Sequence, residues 1–142
     1  MANGKLREYY WRIKNHLAER SEFLDPEHSA FDFPDSDEVE FTERFNATLV
    51  FRDRSRLRVH ASLDDSTEIR EYDYAYIYLD ASGNRVFQYD DSPHHPEIST
   101  HPHHLHRGTK PKRGKERIYP SDIPRVNFIQ VIERIIAILQ QV

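Results

Sequence analysis

Apolar residues near the start of the chain recur at helical spacing. Leu6, Tyr9, Tyr10, Ile13 and Leu17 fall on one side of a 3.6-residue period, which predicts an amphipathic helix from about Leu6 to Arg20 with Trp11 off the stripe. Aromatic residues on such a stripe read as core rather than as a cofactor surface. From Phe41 the period becomes two: Phe41, Phe45, Ala47, Leu49 and Phe51 alternate with Thr42, Arg44, Asn46, Thr48 and Arg52, the pattern of a half-buried strand. After an Asp53-Arg54-Ser55 turn a second strand alternates through Leu57, Val59, Ala61 and Leu63, and Asp64-Asp65-Ser66 turns the chain again. A third strand, about Thr67 to Leu79, puts Tyr72, Tyr74, Tyr76 and Tyr78 on one face. Those rings either stack bases or pack beneath a helix, and the high strand propensity of tyrosine favours packing. Asp80 to Asn84 reads as a hairpin loop that needs Gly83 at positive φ, and a fourth strand runs from about Arg85 to Asp90.

Helical spacing returns at Val126, Ile129, Ile132, Ile135, Ile136 and Leu139, with Ser121 or Asp122 as the expected N-cap and Pro124 in the first turn. A helix this apolar has to pack on the sheet or on a second copy of the chain, so a homodimer through it is one expectation. The predicted architecture is α+β, a four-stranded antiparallel meander sheet flanked by an N-terminal and a C-terminal helix. At 142 residues it fits a single domain, 1–142, with an acidic loop at 21–40 and a His-rich and basic loop at 92–117.

Composition narrows the class. Mean hydropathy is −0.82, so a modest core lies under a charged surface. No apolar run is long enough to span a membrane and no signal peptide is recognisable, which points to a cytoplasmic protein without a membrane partner. The chain has no cysteine, so disulfides, thiolate nucleophiles and cysteine-held zinc are excluded, and any metal would rest on histidine and carboxylate. The formal net charge of −4 conceals two opposed blocks. Nine carboxylates from Glu22 to Glu43 face no lysine or arginine, whereas Arg107, Lys110, Lys112, Arg113, Lys115 and Arg117 stand against Glu116 alone. Such blocks are often solvated faces; otherwise they meet a polyelectrolyte or each other.

Six of the nine histidines, His94, His95, His101, His103, His104 and His106, lie in the seventeen residues from Asp90 to His106. Histidine exchanges protons nearest neutral pH and is also a common ligand of transition metals. Pro93, Pro96 and Pro102 stiffen the segment and turn their preceding residues away from helix. In extended backbone His101 and His103 share one side while His104 and His106 share the other.

Three chemistries fit. In the first, RNA is cut without metal, and His94, His95, His104 and His106 form an acid–base pool with Glu97 or Asp90 orienting a ring. Arg107, Lys110, Lys112, Arg113 and Lys115 then hold the phosphate backbone. In the second, His101, His103, His104 and His106 with Glu97 or Asp90 hold a divalent ion such as zinc for phosphodiester hydrolysis. The first route ranks ahead of the second because no established metal motif is present. In the third, the basic strip docks on nucleic acid or on an acidic partner with no catalysis.

The words Pro93-His94-His95-Pro96-Glu97 and Pro102-His103-His104-Leu105-His106, with Tyr74-Ala75-Tyr76 upstream, resemble the TumE-type toxin family of prokaryotic toxin–antitoxin modules. The resemblance covers most of the chain from the tyrosine-rich strand onward. It implies a small toxin whose partners are a cognate antitoxin and, on the ribonuclease reading, an RNA substrate. The order of a helix followed by four strands is also similar to that of small toxin ribonucleases, a likeness of fold alone.

Overall fold

The computed structural model describes residues 4–32, 42–64 and 68–141. The first helix, α1 (Gly4–Glu19), buries the predicted stripe of Leu6, Tyr9, Tyr10, Ile13 and Leu17, while Trp11 is exposed. A 3-10 turn at Ser21–Phe23 follows, and Phe23 packs partly onto the core. Seven strands then pair antiparallel in chain order: β1 (Ala30–Asp32), β2 (Thr42–Val50), β3 (Arg56–Asp64), β4 (Arg70–Leu79), β5 (Arg85–Asp90), β6 (His104–Arg107) and β7 (Ile118–Pro120). The second helix, α2 (Phe128–Gln140), follows β7.

The four predicted strands are β2 to β5, and the sheet extends beyond them at both edges. β1 forms inside the acidic stretch, of which residues 33–41 lie outside the described residues. β6 forms inside the predicted His-rich and basic loop and β7 directly after it, so 92–117 is not one loop but a roof segment, a strand and a connection. These strands are too short to display an alternation. β6 offers Leu105 as its one apolar residue, and that residue is buried opposite Tyr119 of β7.

One face of the sheet carries the core. Phe45, Leu49, Leu57, Val59, Tyr76 and Tyr89 are fully buried there, and the Phe45 ring lies 6.3 Å from Tyr9 of α1 and 5.8 Å from Phe128 of α2, so both helices cover the same face. Each fully buried large side chain contributes roughly 1.5–3 kcal/mol of transfer free energy. Among the described residues no helix is long and apolar enough to cross a membrane.

The tyrosines settle as packing, with one displaced. Tyr74, Tyr76 and Tyr78 are buried, but Tyr72 is 39 % exposed. The cause is a β-bulge at Asp73, where φ is +46° and the pairing with β3 slips between His60 and Ser62. Asp91 stabilises it, its carboxylate accepting the backbone N–H groups of Asp73 and Tyr74 at 2.9 Å each. One extra residue exchanges the two faces of a strand, so Tyr72 turns outward and Glu71 turns inward. Glu71 accepts hydrogen bonds from the Tyr76 hydroxyl and from the Phe128 N–H at the start of α2, the latter at 2.8 Å. Burial raises its carboxyl above the ordinary range against the opposing pull of these donors.

α2 begins later than the sequence suggested. Its cap is Asn127, whose side chain accepts the Gln130 N–H at 2.9 Å while Gln130 accepts the Asn127 N–H at 3.0 Å, a reciprocal capping box. The two predicted caps are engaged elsewhere. The Ser121 hydroxyl donates to the Ile123 carbonyl, and Asp122 accepts from Tyr89 and Arg134 at 2.6 and 2.5 Å. Arg125, at φ +50°, is incompatible with a helix running through it. Val131, Ile132, Ile135 and Ile136 are buried within the chain's own core, which is where the apolar stripe of α2 goes.

Candidate functional site

Strand register assembles the site. Asp90 of β5 stands opposite His104 of β6, and Gln88 stands opposite His106. Residues directly opposite in an antiparallel pair bring their Cβ atoms to about 4.5–5.5 Å. The intervening Tyr89 and Leu105 enter the core, so Asp90, His104 and His106 occupy the sheet face turned away from the helices. Ala75 and Ile77 of β4 continue the same rows.

On that face three side chains converge. His104 Nε2 lies 2.8 Å from Asp90 Oδ1, His106 Nε2 lies 3.1 Å from Asp90 Oδ2, and the two Nε2 atoms are 3.1 Å apart. Asp90 and His104 are only 4 % and 2 % exposed. The outward nitrogens are also held. His104 Nδ1 faces the Pro102 carbonyl at 3.0 Å, and His106 Nδ1 faces Glu116 Oε2 at 3.2 Å. Glu116 is in turn paired with Arg85, whose Nε donates to the Gly108 carbonyl at 2.7 Å.

The electrostatics follow from this packing. Burial alone would push the Asp90 carboxyl up, but hydrogen bonds from His106 and Gln88, the charge of His104 and the Ser92 N–H together bring it below the usual aspartate value. Glu116 behaves likewise: burial raises it, and Arg85 and His106 bring it down overall. Both carboxylates therefore stay ionised beside the imidazoles.

The proline-rich segment 91–103 roofs the pocket. Its His95 ring sits 5.0 Å from the His104 ring and 6.5 Å from the His106 ring, with Glu97 Oε1 3.4 Å from His95 Nδ1. The Thr100 hydroxyl oxygen accepts the Ser121 N–H, tying the roof to the segment after β7. His95 is partly exposed and so lies at the mouth, above the buried Asp90–His104–His106 floor.

Of the sequence-predicted residues, Asp90, His95, His104 and His106 come together, and Glu97 flanks them. His94 is exposed. His101 is exposed with its Nδ1 toward the His95 carbonyl at 3.1 Å, and His103 lies on the helix side, stacked on Tyr74 with Nδ1 2.8 Å from its hydroxyl. Neither joins His104 and His106, as the strand alternation requires.

The basic run divides. Arg107 and Arg117 each lie 4.9 Å from the centre of the Tyr119 ring, on the side of Leu105 and away from the pocket. Lys110, Lys112, Arg113 and Lys115 are exposed in the connection between β6 and β7, which ends at Glu116 against His106. Sequence reasoning missed Gln88, Arg85 and Glu116. The available signal for the last was that it is the lone acid in a run of cations, which implies a local partner. It also missed Arg58 and His60 of β3, both exposed on the open face in the rows that cross β4 to Gln88 and Asp90.

A second group of possible metal donors, Asp25, Glu27 and His28, lies at the surface, where the Asp25 carboxylate is already bound by Arg54 at 2.7 Å.

The family model described as Toxin TumE matches residues 14–141 of the chain. No curated protein and no solved structure matches it.

Proposed function

The chain belongs to the TumE toxin family, and we propose that it acts as a ribonuclease whose reacting centre is the pocket of Asp90, His95, His104 and His106. The observation that carries this reading is the convergence of His104 and His106 on one buried carboxylate beneath the half-open His95. Buried titratable groups held against a charge partner in a cleft are the usual furniture of proton-transfer sites.

The roles follow from exposure. His104 and His106 are both turned onto Asp90, so they are held in place rather than free to reach solvent. His95, oriented by Glu97, is the group that reaches solvent. It takes the proton of the RNA 2′-hydroxyl as that oxygen bonds to phosphorus. The bond from phosphorus to the 5′-oxygen breaks, and the leaving oxygen takes up a proton from water, giving a 2′,3′-cyclic phosphate and a 5′-hydroxyl. The exposed lysines and arginine of the connection after β6 stabilise the charge gathering on the phosphate.

Binding involves two sets of cations. Lys110, Lys112, Arg113 and Lys115 flank the pocket on the connection that ends at Glu116. Arg58 and His60 lie two strands away on the same face, about 10 Å from Asp90 at ordinary strand spacing. An RNA strand lying across β3 to β6 meets both. Membership of a toxin family implies an antitoxin as the protein partner.

Purified chain incubated with total RNA is expected to give fragments with those two ends. His95→Ala should slow cutting by roughly 10²–10⁴-fold with RNA affinity retained. RNA left intact by chain that arrests growth when expressed overturns the reading.

A further inference from the structure

We propose that Asp90, His104 and His106 are the protein ligands of a divalent transition-metal ion of the zinc class, with Glu116 and the Pro102 carbonyl as its outer-sphere supports. The first argument is geometric. Metal–ligand distances of about 2.0–2.1 Å place neighbouring donors about 2.9–3.4 Å apart, whether the angles are octahedral or tetrahedral. Here the two Nε2 atoms are 3.1 Å apart and each faces one oxygen of the Asp90 carboxylate, Oδ1 at 2.8 Å from His104 and Oδ2 at 3.1 Å from His106. The side chains already stand at the edges of a coordination polyhedron.

The second argument is the tautomer. His104 Nδ1 faces a carbonyl, which can only accept, so it carries the proton and leaves the Nε2 lone pair pointing inward. His106 Nδ1 lies 3.2 Å from the Glu116 carboxylate, an ion-pair contact rather than a hydrogen bond. Imidazole that donates its far N–H to a carbonyl or a carboxylate is the standard support of a metal-ligating histidine. Two inward lone pairs facing each other and an ionised carboxylate repel unless something positive lies among them. A single proton shared between the rings satisfies the two nitrogens as a hydrogen bond, whereas a cation satisfies both nitrogens and the carboxylate together.

The third argument concerns selectivity and access. Two nitrogens and one carboxylate suit zinc, cobalt, nickel or iron better than magnesium or calcium, which prefer oxygen throughout. Asp90 and His104 are buried and His106 is partly exposed, so the group lies near the surface beneath His95. The surface group of Asp25, Glu27 and His28 lacks these features, being exposed and already neutralised by Arg54.

The inference deepens the ribonuclease reading and rests on it for the pocket's role, but the two fail separately. The test is calorimetric titration of chelator-stripped chain with Zn(II), together with the visible absorption spectrum on adding Co(II). One ion per chain should bind, with Co(II) bands of a low-symmetry site. His106→Ala should abolish that binding, Glu116→Gln should weaken it about 10–100-fold with circular dichroism unchanged, and His28→Ala should leave it as it is. Should His106→Ala fail to fold, the Co(II) spectrum of the parent and the Glu116→Gln titration still decide. No stoichiometric binding by the folded parent, or binding that survives His106→Ala, overturns the metal site. Stoichiometric binding without RNA cutting retains the metal site and removes the ribonuclease; chelator-resistant cutting by metal-free chain does the reverse.

Discussion

Glu71→Ala should be among the most destabilising single changes in this protein, although it lies far from the pocket. Glu71 is the acceptor for the hydroxyl of Tyr76, a residue that is 0 % exposed, and for the Phe128 N–H that opens α2. Alanine leaves both donors without a partner, at about 1–3 kcal/mol for each buried unsatisfied group. The sum is roughly 2–6 kcal/mol, with the lower end applying where water reaches the Phe128 N–H. Glu71→Gln keeps an oxygen in place for both donors and should cost no more than about 1 kcal/mol. Urea denaturation at neutral pH, followed by far-ultraviolet circular dichroism, gives both values. A Glu71→Ala midpoint within about 0.5 kcal/mol of the parent, or equal damage from glutamine, refutes the reasoning.

The pH response adds an independent check. The folded-state carboxyl is raised above its ordinary value of 4.5, chiefly by burial, so the folded protein holds the proton more tightly than the unfolded chain. Its stabilising contribution is therefore complete below the ordinary value and is lost as pH climbs through the raised one. Glu71→Gln should flatten that alkaline-side decline, and an unchanged slope would contradict it.

Two further outcomes are expected. Asn127→Ala removes one half of the capping box and should cost about 1 kcal/mol in the same denaturation assay, whereas Asp122→Ala should affect the Tyr89 and Arg134 contacts without altering helix content. Replacing Lys110, Lys112, Arg113 and Lys115 together by alanine should weaken binding to single-stranded RNA and flatten its log–log salt dependence by up to about 3, at about 0.7 per phosphate contact. An unaltered slope in filter binding would show that RNA passes elsewhere.

What could be read in advance followed from burial. β2 to β5 each bury one face and leave the other wet, so their side chains alternate and the strands are visible in the sequence. β6 cannot be recognised that way: its inward residue is Leu105, and on the opposite face His104 is buried and His106 half-buried without entering the core. The alternation rule nonetheless correctly predicted that His104 and His106 share a side, because it depends only on extended backbone. It erred at Tyr72, where the bulge at Asp73 inserts one residue and interchanges Tyr72 with Glu71. No local signal marks that insertion, since its stabilising partner, Asp91, comes from the end of the neighbouring strand. The site was half legible for a similar reason. A crowd of histidines shows in the sequence, but which of them meet is decided by pairing with β5, and Glu116 joins only because the connection returns to His106.

Strand order that repeats chain order has a bearing on how this toxin is made. Each strand lies beside its predecessor, so every pairing closes a short loop and the sheet can grow in the sequence in which the ribosome delivers it. Asp90, His104 and His106 are brought into register while α2 is still to come, and until α2 docks, Phe45 lacks the Phe128 ring stacked on it. A nascent chain halted before Phe128 would thus expose the apolar face that α2 covers in the complete fold.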